Sequence, residues 1–171
     1  KGLNLPMGFT RIGKVSKHRG LKGDLIIKIF ESFNLNFDSI DTVYIEIENS
    51  HIPFLIKKAK KINNKKFIFL LKNHESRESN EILINNYISI NDKEAENFLN
   101  EIEKLIEYRL IQDKKEIGKI KDYIFNDQPI VICDIKDKEV MVPYVKEYFF
   151  DVNHKEKLVA VKIPKDLINL N

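Results

Sequence analysis

Cysteine occurs once, at position 133, and tryptophan not at all. One thiol excludes an intrachain disulfide and leaves no thiolate pair to hold a metal, so a reducing, cytoplasmic setting is expected. Lying among Val131, Ile132 and Ile135, Cys133 reads as a core residue rather than a nucleophile. Long apolar runs are missing too: none approaches the ~18–20 residues that cross a bilayer. Residues 1–8 lack the apolar stretch of a signal peptide. The four histidines, His18, His51, His74 and His154, stand apart, with no two at metal-ligand spacing. No nucleotide-binding glycine loop is present, and no motif pairs a general acid with a base. No catalytic residue, metal or cofactor is therefore expected.

What is present is the balance of a soluble globular protein, 43% hydrophobic and 32% charged. The 171 residues suit one medium domain or two small ones. The net charge of +3 divides unevenly. Residues 1–91 carry 15 Lys+Arg against 9 Asp+Glu, and residues 92–171 carry 14 against 17. A basic half followed by an acidic half suggests two modules facing different partners, although a swing of this size also arises by chance.

Strand signals fill the first half. Val43, Ile45 and Ile47 alternate with Tyr44, Glu46 and Glu48, the period of a half-buried strand. Similar patterns predict strands at 11–15, 25–29, 53–62, 66–71 and 87–90, with a short helix over 75–84. Six short strands at this spacing read as a small antiparallel barrel. From residue 92 the period changes: Ala95, Phe98, Leu99, Ile102, Leu105 and Ile106 recur at steps of three and four. They predict a linker helix over 92–106, with Asn91 and Glu94 as a capping pair. Strands return at 108–112, 117–124, 130–135 and 140–145, followed by a hairpin turning near Asn153 and His154. Pro143 has no amide hydrogen, so its strand is an edge or ends there. The fold expected is mainly β: two small antiparallel barrels, at 8–91 and 107–171, joined by the helix.

The stretch "VSKHRGLKGDLIIKIF" begins and ends as strand but is broken by Lys17, Arg19, Gly20, Lys22 and Gly23. Glycine tolerates positive φ, so Gly20 and Gly23 let the chain reverse. The three cations then crowd one tip, either as ordinary solvated turn residues or as a surface for phosphates.

The same stretch resembles the N-terminal signature of the ribosome maturation factor RimM family, in which a strand leads into a Gly-Leu-Lys/Arg-Gly-Glu/Asp turn. "SRESNEILINNYISI" is similar to that family's Arg-Glu-x-Ala-Glu-x-Leu segment, with Asn80 where alanine is usual. "LIEYRLIQDKKEIGKIKDYI" resembles the opening of its second domain, a PRC-barrel, with Glu107 in place of a glycine. "KEVMVPYVKEYFFDVNHKEKLVAVKIPKDLI" resembles its closing pattern. Four signatures in order cover nearly the whole chain. The family usually has a histidine where Arg19 stands, and aromatics in the linker where this chain has only Phe98.

The resemblance implies a non-catalytic assembly factor for the small (30S) ribosomal subunit. Its first barrel would be like those of translation factors. Its PRC-barrel would bind a ribosomal protein of the subunit head, aiding 16S rRNA folding and processing. A monomer without membrane contact is expected. For RNA or the particle surface the candidates are the turn residues above and six lysines flanking Asn63 and Asn64: Lys57, Lys58, Lys60, Lys61, Lys65 and Lys66. Such lysines also serve simply as a solvated edge guard. For the protein partner the candidates are Phe98, Tyr144, Tyr148, Phe149 and Phe150, at least one of them core. The alternative is a PRC-barrel regulatory module that binds protein and never RNA.

Overall fold

The computed structural model describes residues 8–125 and 128–170; residues 1–7, where a signal peptide is not expected, lie outside this range. The chain divides into two compact units, Lys1–Asn100 and Glu101–Asn171.

The first unit is a closed six-stranded barrel. Its strands are β1 (Phe9–Arg19), β2 (Asp24–Ile29), β3 (Thr42–Ile47), β4 (Ser50–Asn63), β5 (Lys66–Leu71) and β6 (Tyr87–Asn91). They pair antiparallel in the order β1-β2-β5-β4-β3-β6. Alternation decides which side faces in. Val43 and Ile45 of β3, Leu25 and Ile27 of β2, and Phe67 and Phe69 of β5 are buried in one core. Phe37, from the loop after β2, packs edge-on against both Phe67 and Phe69, at 4.8 and 4.7 Å between ring centroids. At Gly13 the backbones of β1 and β2 almost touch: a Cβ there would lie 2.0 Å from the Lys28 carbonyl oxygen, so only glycine fits.

The two expected helices are largely absent. Within 75–84 the only helical turn is a 3-10 turn at Glu81–Leu83. Ser76 and Ser79 hydrogen-bond each other's backbone and side chains, a local alternative to helix that serine favours. The linker helix is confined to α1 (Asp92–Glu96), with a 3-10 turn at Glu103–Leu105. Between them the backbone pairs with the first barrel instead: Asn34 donates to the Phe98 carbonyl at 2.7 Å and Asn100 to Ser32 at 2.8 Å. Those bonds compete with helical ones, and Phe33 and Leu99 form an isolated bridge.

The second unit is a six-stranded sheet around a separate core. Its strands are β7 (Arg109–Gln112), β8 (Lys115–Ile124), β9 (Ile130–Ile135), β10 (Lys138–Pro143), β11 (Phe149–Asn153) and β12 (Leu158–Val161). The order is β10-β9-β8-β7-β12-β11, antiparallel except where β12 runs parallel to β7. A short helix, α2 (Lys165–Asn169), follows. Pro143 ends β10, an edge strand, where its missing donor costs no ladder bond. Cys133 is fully buried in this core with Val131, Ile135 and Val140. No helix among the described residues is long and apolar enough to cross a membrane.

Candidate nucleic-acid and partner interfaces

The β1–β2 turn is held from beneath. Gly20 and Gly23 both adopt positive φ, +71° and +84°. Gly23 is also pressed against the 74–75 backbone: a Cβ there would lie 2.6 Å from the Glu75 carbonyl carbon. Asn80, wholly buried, donates its side-chain amide to the carbonyls of Gly23 (2.8 Å) and His74 (3.0 Å). Arg77 reaches the Gly20 carbonyl at 3.2 Å, and His18 Nε2 meets Glu81 at 2.9 Å. The segment after β5 is therefore a brace for the turn, which neither composition nor periodicity reveals. Its one visible sign is an asparagine where the resembling family has alanine. At the tip Leu21 is 80% exposed, with Arg19 and Lys22 beside it.

The register carries Lys17 opposite Ile26 and Arg19 opposite Asp24, all turned outward. The lysines at the tip of the β4–β5 hairpin lie elsewhere. Lys66 pairs with Lys28, whereas the β1–β2 turn joins the other end of β2. At about 3.3 Å per residue, the two turns are separated by about 20 Å along the strands. The six lysines also differ in what they touch. Lys57 forms an ion pair with Glu75. Lys65 turns back to donate to the carbonyls of Phe33 (2.5 Å), Glu31 (3.2 Å) and Phe30 (3.4 Å). Burial draws its pKa below the ordinary lysine value, with Glu31 opposing the shift. Lys61 lines a cavity of about 350 Å³ with Asp38 and Asp41. Lys58, Lys60 and Lys66 are exposed on the outer face.

In the second unit the aromatic residues separate. Phe149 is core, 6% exposed. Phe150 falls in a bulge, because β12 pairs Val161 with Phe149 and the next residue, Ala160, with Asp151. The extra residue is pushed out of the ladder, and Phe150 is 60% exposed. It borders a groove of about 890 Å³ with Tyr148, Ile111, Val161 and Pro164. Tyr144 is half-buried against Phe149, and burial together with Glu101 pushes its phenol up to about 12. Phe98 is not part of this cluster: it packs on the core of the first barrel. Among the described residues no three His, Cys, Asp or Glu side chains converge as a metal site.

Charge is distributed less simply than the division at residue 91 suggests. By structural unit, 1–100 holds 16 Lys+Arg against 12 Asp+Glu, and 101–171 holds 13 against 14. Most of the acidic excess therefore belongs to the linker. Both units hold paired and unpaired cations among the described residues. In the second, Arg109, Lys119 and Lys121 are matched to Glu116, Glu107 and Glu139 at 3.2, 2.8 and 2.6 Å. In the first, Arg11 and Lys57 are matched to Glu46 and Glu75, while no ion pair engages Lys17, Arg19, Lys22, Lys28, Lys60 or Lys66 among the described residues.

Two family profiles match the chain: the RimM N-terminal domain over residues 10–95 and the RimM PRC barrel domain over residues 102–167. The Ribosome maturation factor RimM of Amoebophilus asiaticus is 27% identical over 163 residues, covering 91% of each chain. That of Caldicellulosiruptor bescii is 26% identical over 171 residues, covering 94% of this chain and 98% of the relative. A solved structure from Pseudomonas aeruginosa, titled as a 16S ribosomal RNA processing protein RimM, covers 92% of this chain and 99% of its own. It aligns at 16% identity and a TM-score of 0.46.

Proposed function

Since the chain belongs to the RimM family, matched in order by both of its domain profiles, we propose that it is a non-catalytic assembly factor for the small ribosomal subunit. It acts as a monomer in the cytoplasm, aiding 16S rRNA folding and processing by holding parts of the unfinished particle. The boundaries proposed are 8–91 for the first barrel, 92–106 for the linker and 107–171 for the PRC-barrel.

The cluster of cations outside any ion pair on the β1–β2 turn supports this reading most. Cations left without carboxylates on a braced, protruding turn suit phosphates, whose neutralisation releases counterions. Lys17, Arg19 and Lys22 contact rRNA or the particle surface, Gly20 and Gly23 shape the turn, and Asn80 and Arg77 position it. The PRC-barrel takes a ribosomal protein of the subunit head. Phe150 and Tyr148, beside the apolar groove, serve as its anchors, since exposed aromatics at a groove favour association.

Capture assays with purified head proteins of the small subunit test the second contact. The full chain retains one of them, and Phe150→Ser weakens retention. Retention of none overturns this part of the reading.

A further inference from the structure

Strand register assembles a surface that no single segment displays. Lys14 of β1 stands opposite Lys28 of β2, and Lys28 stands opposite Lys66 of β5. Directly paired residues point to the same side of a sheet. The partners that alternate with them, Val15, Ile27 and Phe67, are in the core, so this row faces outward. The next outward row is Lys17, Ile26, Ile68 and Lys60, and beyond it a third carries the pairs Arg19–Asp24 on β1 and β2 and Leu70–Lys58 on β5 and β4. Three rows on four neighbouring strands thus present seven cations and one carboxylate. With strands about 4.8 Å apart, the first row, on three strands, spans about 10 Å and a row across all four about 14 Å.

Like charges placed directly opposite on a sheet are destabilising. A row of three therefore raises the folded state's energy, and no ion pair among the described residues relieves it. Lys14 has one compensation, its ammonium lying 4.7 Å from the Tyr87 ring centroid. Ile26 is buried and Ile68 and Leu70 half-buried between the lysines, whose stems suit covering them. Of the aromatic residues on these strands, Phe54, Phe67 and Phe69 are buried, and Phe9 packs on Tyr44 and His51. The one ring in line with the first row, Tyr87 of β6 opposite Lys14, is half-buried and already has Arg11 and Lys14 over it at 3.9 and 4.7 Å, so the face offers charge rather than a free ring on which an unstacked base could lie.

We infer that the outer face of β1-β2-β5-β4, centred on Lys14, Lys28 and Lys66, docks the phosphate backbone of double-helical RNA. Recognition is by charge and shape rather than by bases. A duplex fits this chemistry because its bases are already stacked, whereas single strands are held mainly on aromatic platforms. The inference rests on the assembly reading above and adds Lys14 and Lys28 to its contacts, moving the centre from the hairpin tips to the sheet.

The test uses the full chain, a short RNA duplex, single-stranded RNA of equal length and poly-glutamate, across a range of salt. The variant Lys14→Gln/Lys28→Gln/Lys66→Gln is compared with Lys119→Gln/Lys121→Gln, whose lysines are ion-paired. Thermal melts confirm that each variant folds. The sheet variant is expected to lose about a hundredfold in duplex affinity at moderate salt. Its salt slope should fall by about two to three, roughly 0.9 per lost phosphate contact, while the control stays near the parent. Unchanged duplex affinity in a folded sheet variant overturns the inference, as does tighter binding of single strands or equal binding of poly-glutamate. If the parent sediments with small subunits while the sheet variant keeps its duplex affinity, the face is wrong and the assembly reading survives. Absence of the parent from those fractions defeats the assembly reading itself.

Discussion

Asn80 and Gly23, 57 positions apart, are joined inside the first barrel by a 2.8 Å hydrogen bond from the asparagine amide to the glycine carbonyl. The same amide group reaches the His74 carbonyl, so one buried side chain ties the base of the cationic turn to the segment beneath it. Asn80→Ala leaves both carbonyls without this donor, at a cost of about 1–3 kcal/mol. Urea denaturation measures the loss, and hydrogen exchange is expected to rise at residues 20–24. Unaltered exchange there would show that the brace is not needed.

Gly13→Ala tests the barrel itself. With the Lys28 carbonyl oxygen 2.0 Å from the new Cβ, β1 and β2 must move apart. A loss of about 1–3 kcal/mol is expected, as for overpacked cores, and a thermal melt reads it. A melt equal to that of the parent contradicts the close approach.

Phe149 and Phe150 are neighbours with opposite roles. Phe149→Ala empties a core position and is expected to cost about 3–5 kcal/mol. Phe150→Ser changes an exposed residue, and stability should stay within about 0.5 kcal/mol. Chemical denaturation of the two variants checks the contrast, and comparable losses would place Phe150 in the core.

Burial raises the Cys133 thiol from 9.0 to about 12. The native state then keeps a proton that the unfolded chain releases. Stability from this group is complete below the unfolded value and is lost as pH climbs from about 9 towards 12. Cys133→Ala removes that part of the alkaline decline, which melts across this range detect. A thiol reagent should label the parent only after unfolding; rapid native labelling contradicts the burial.

Much of the architecture was legible because alternation is a strong signal. The inward residues of β2, β3 and β5 can be read from their period, and Pro143 marks an edge. The helices were misread where polar side chains compete for the backbone: Ser76 and Ser79 turn the chain locally, and the 97–100 stretch bonds to the loop after β2. The turn cations were visible as a cluster in sequence. Lys14 and Lys28 were not, because each is a single polar position within its own strand, and only pairing across strands aligns them with Lys66. The bulge that exposes Phe150 depends likewise on its partner strand.

Sedimentation is the most direct test of the central claim that this chain works by holding an unfinished small subunit. In a gradient of lysate with assembly stalled, the chain is expected to travel with immature small subunits and to be released by high salt. Its confinement to the top of the gradient under those conditions would contradict the account.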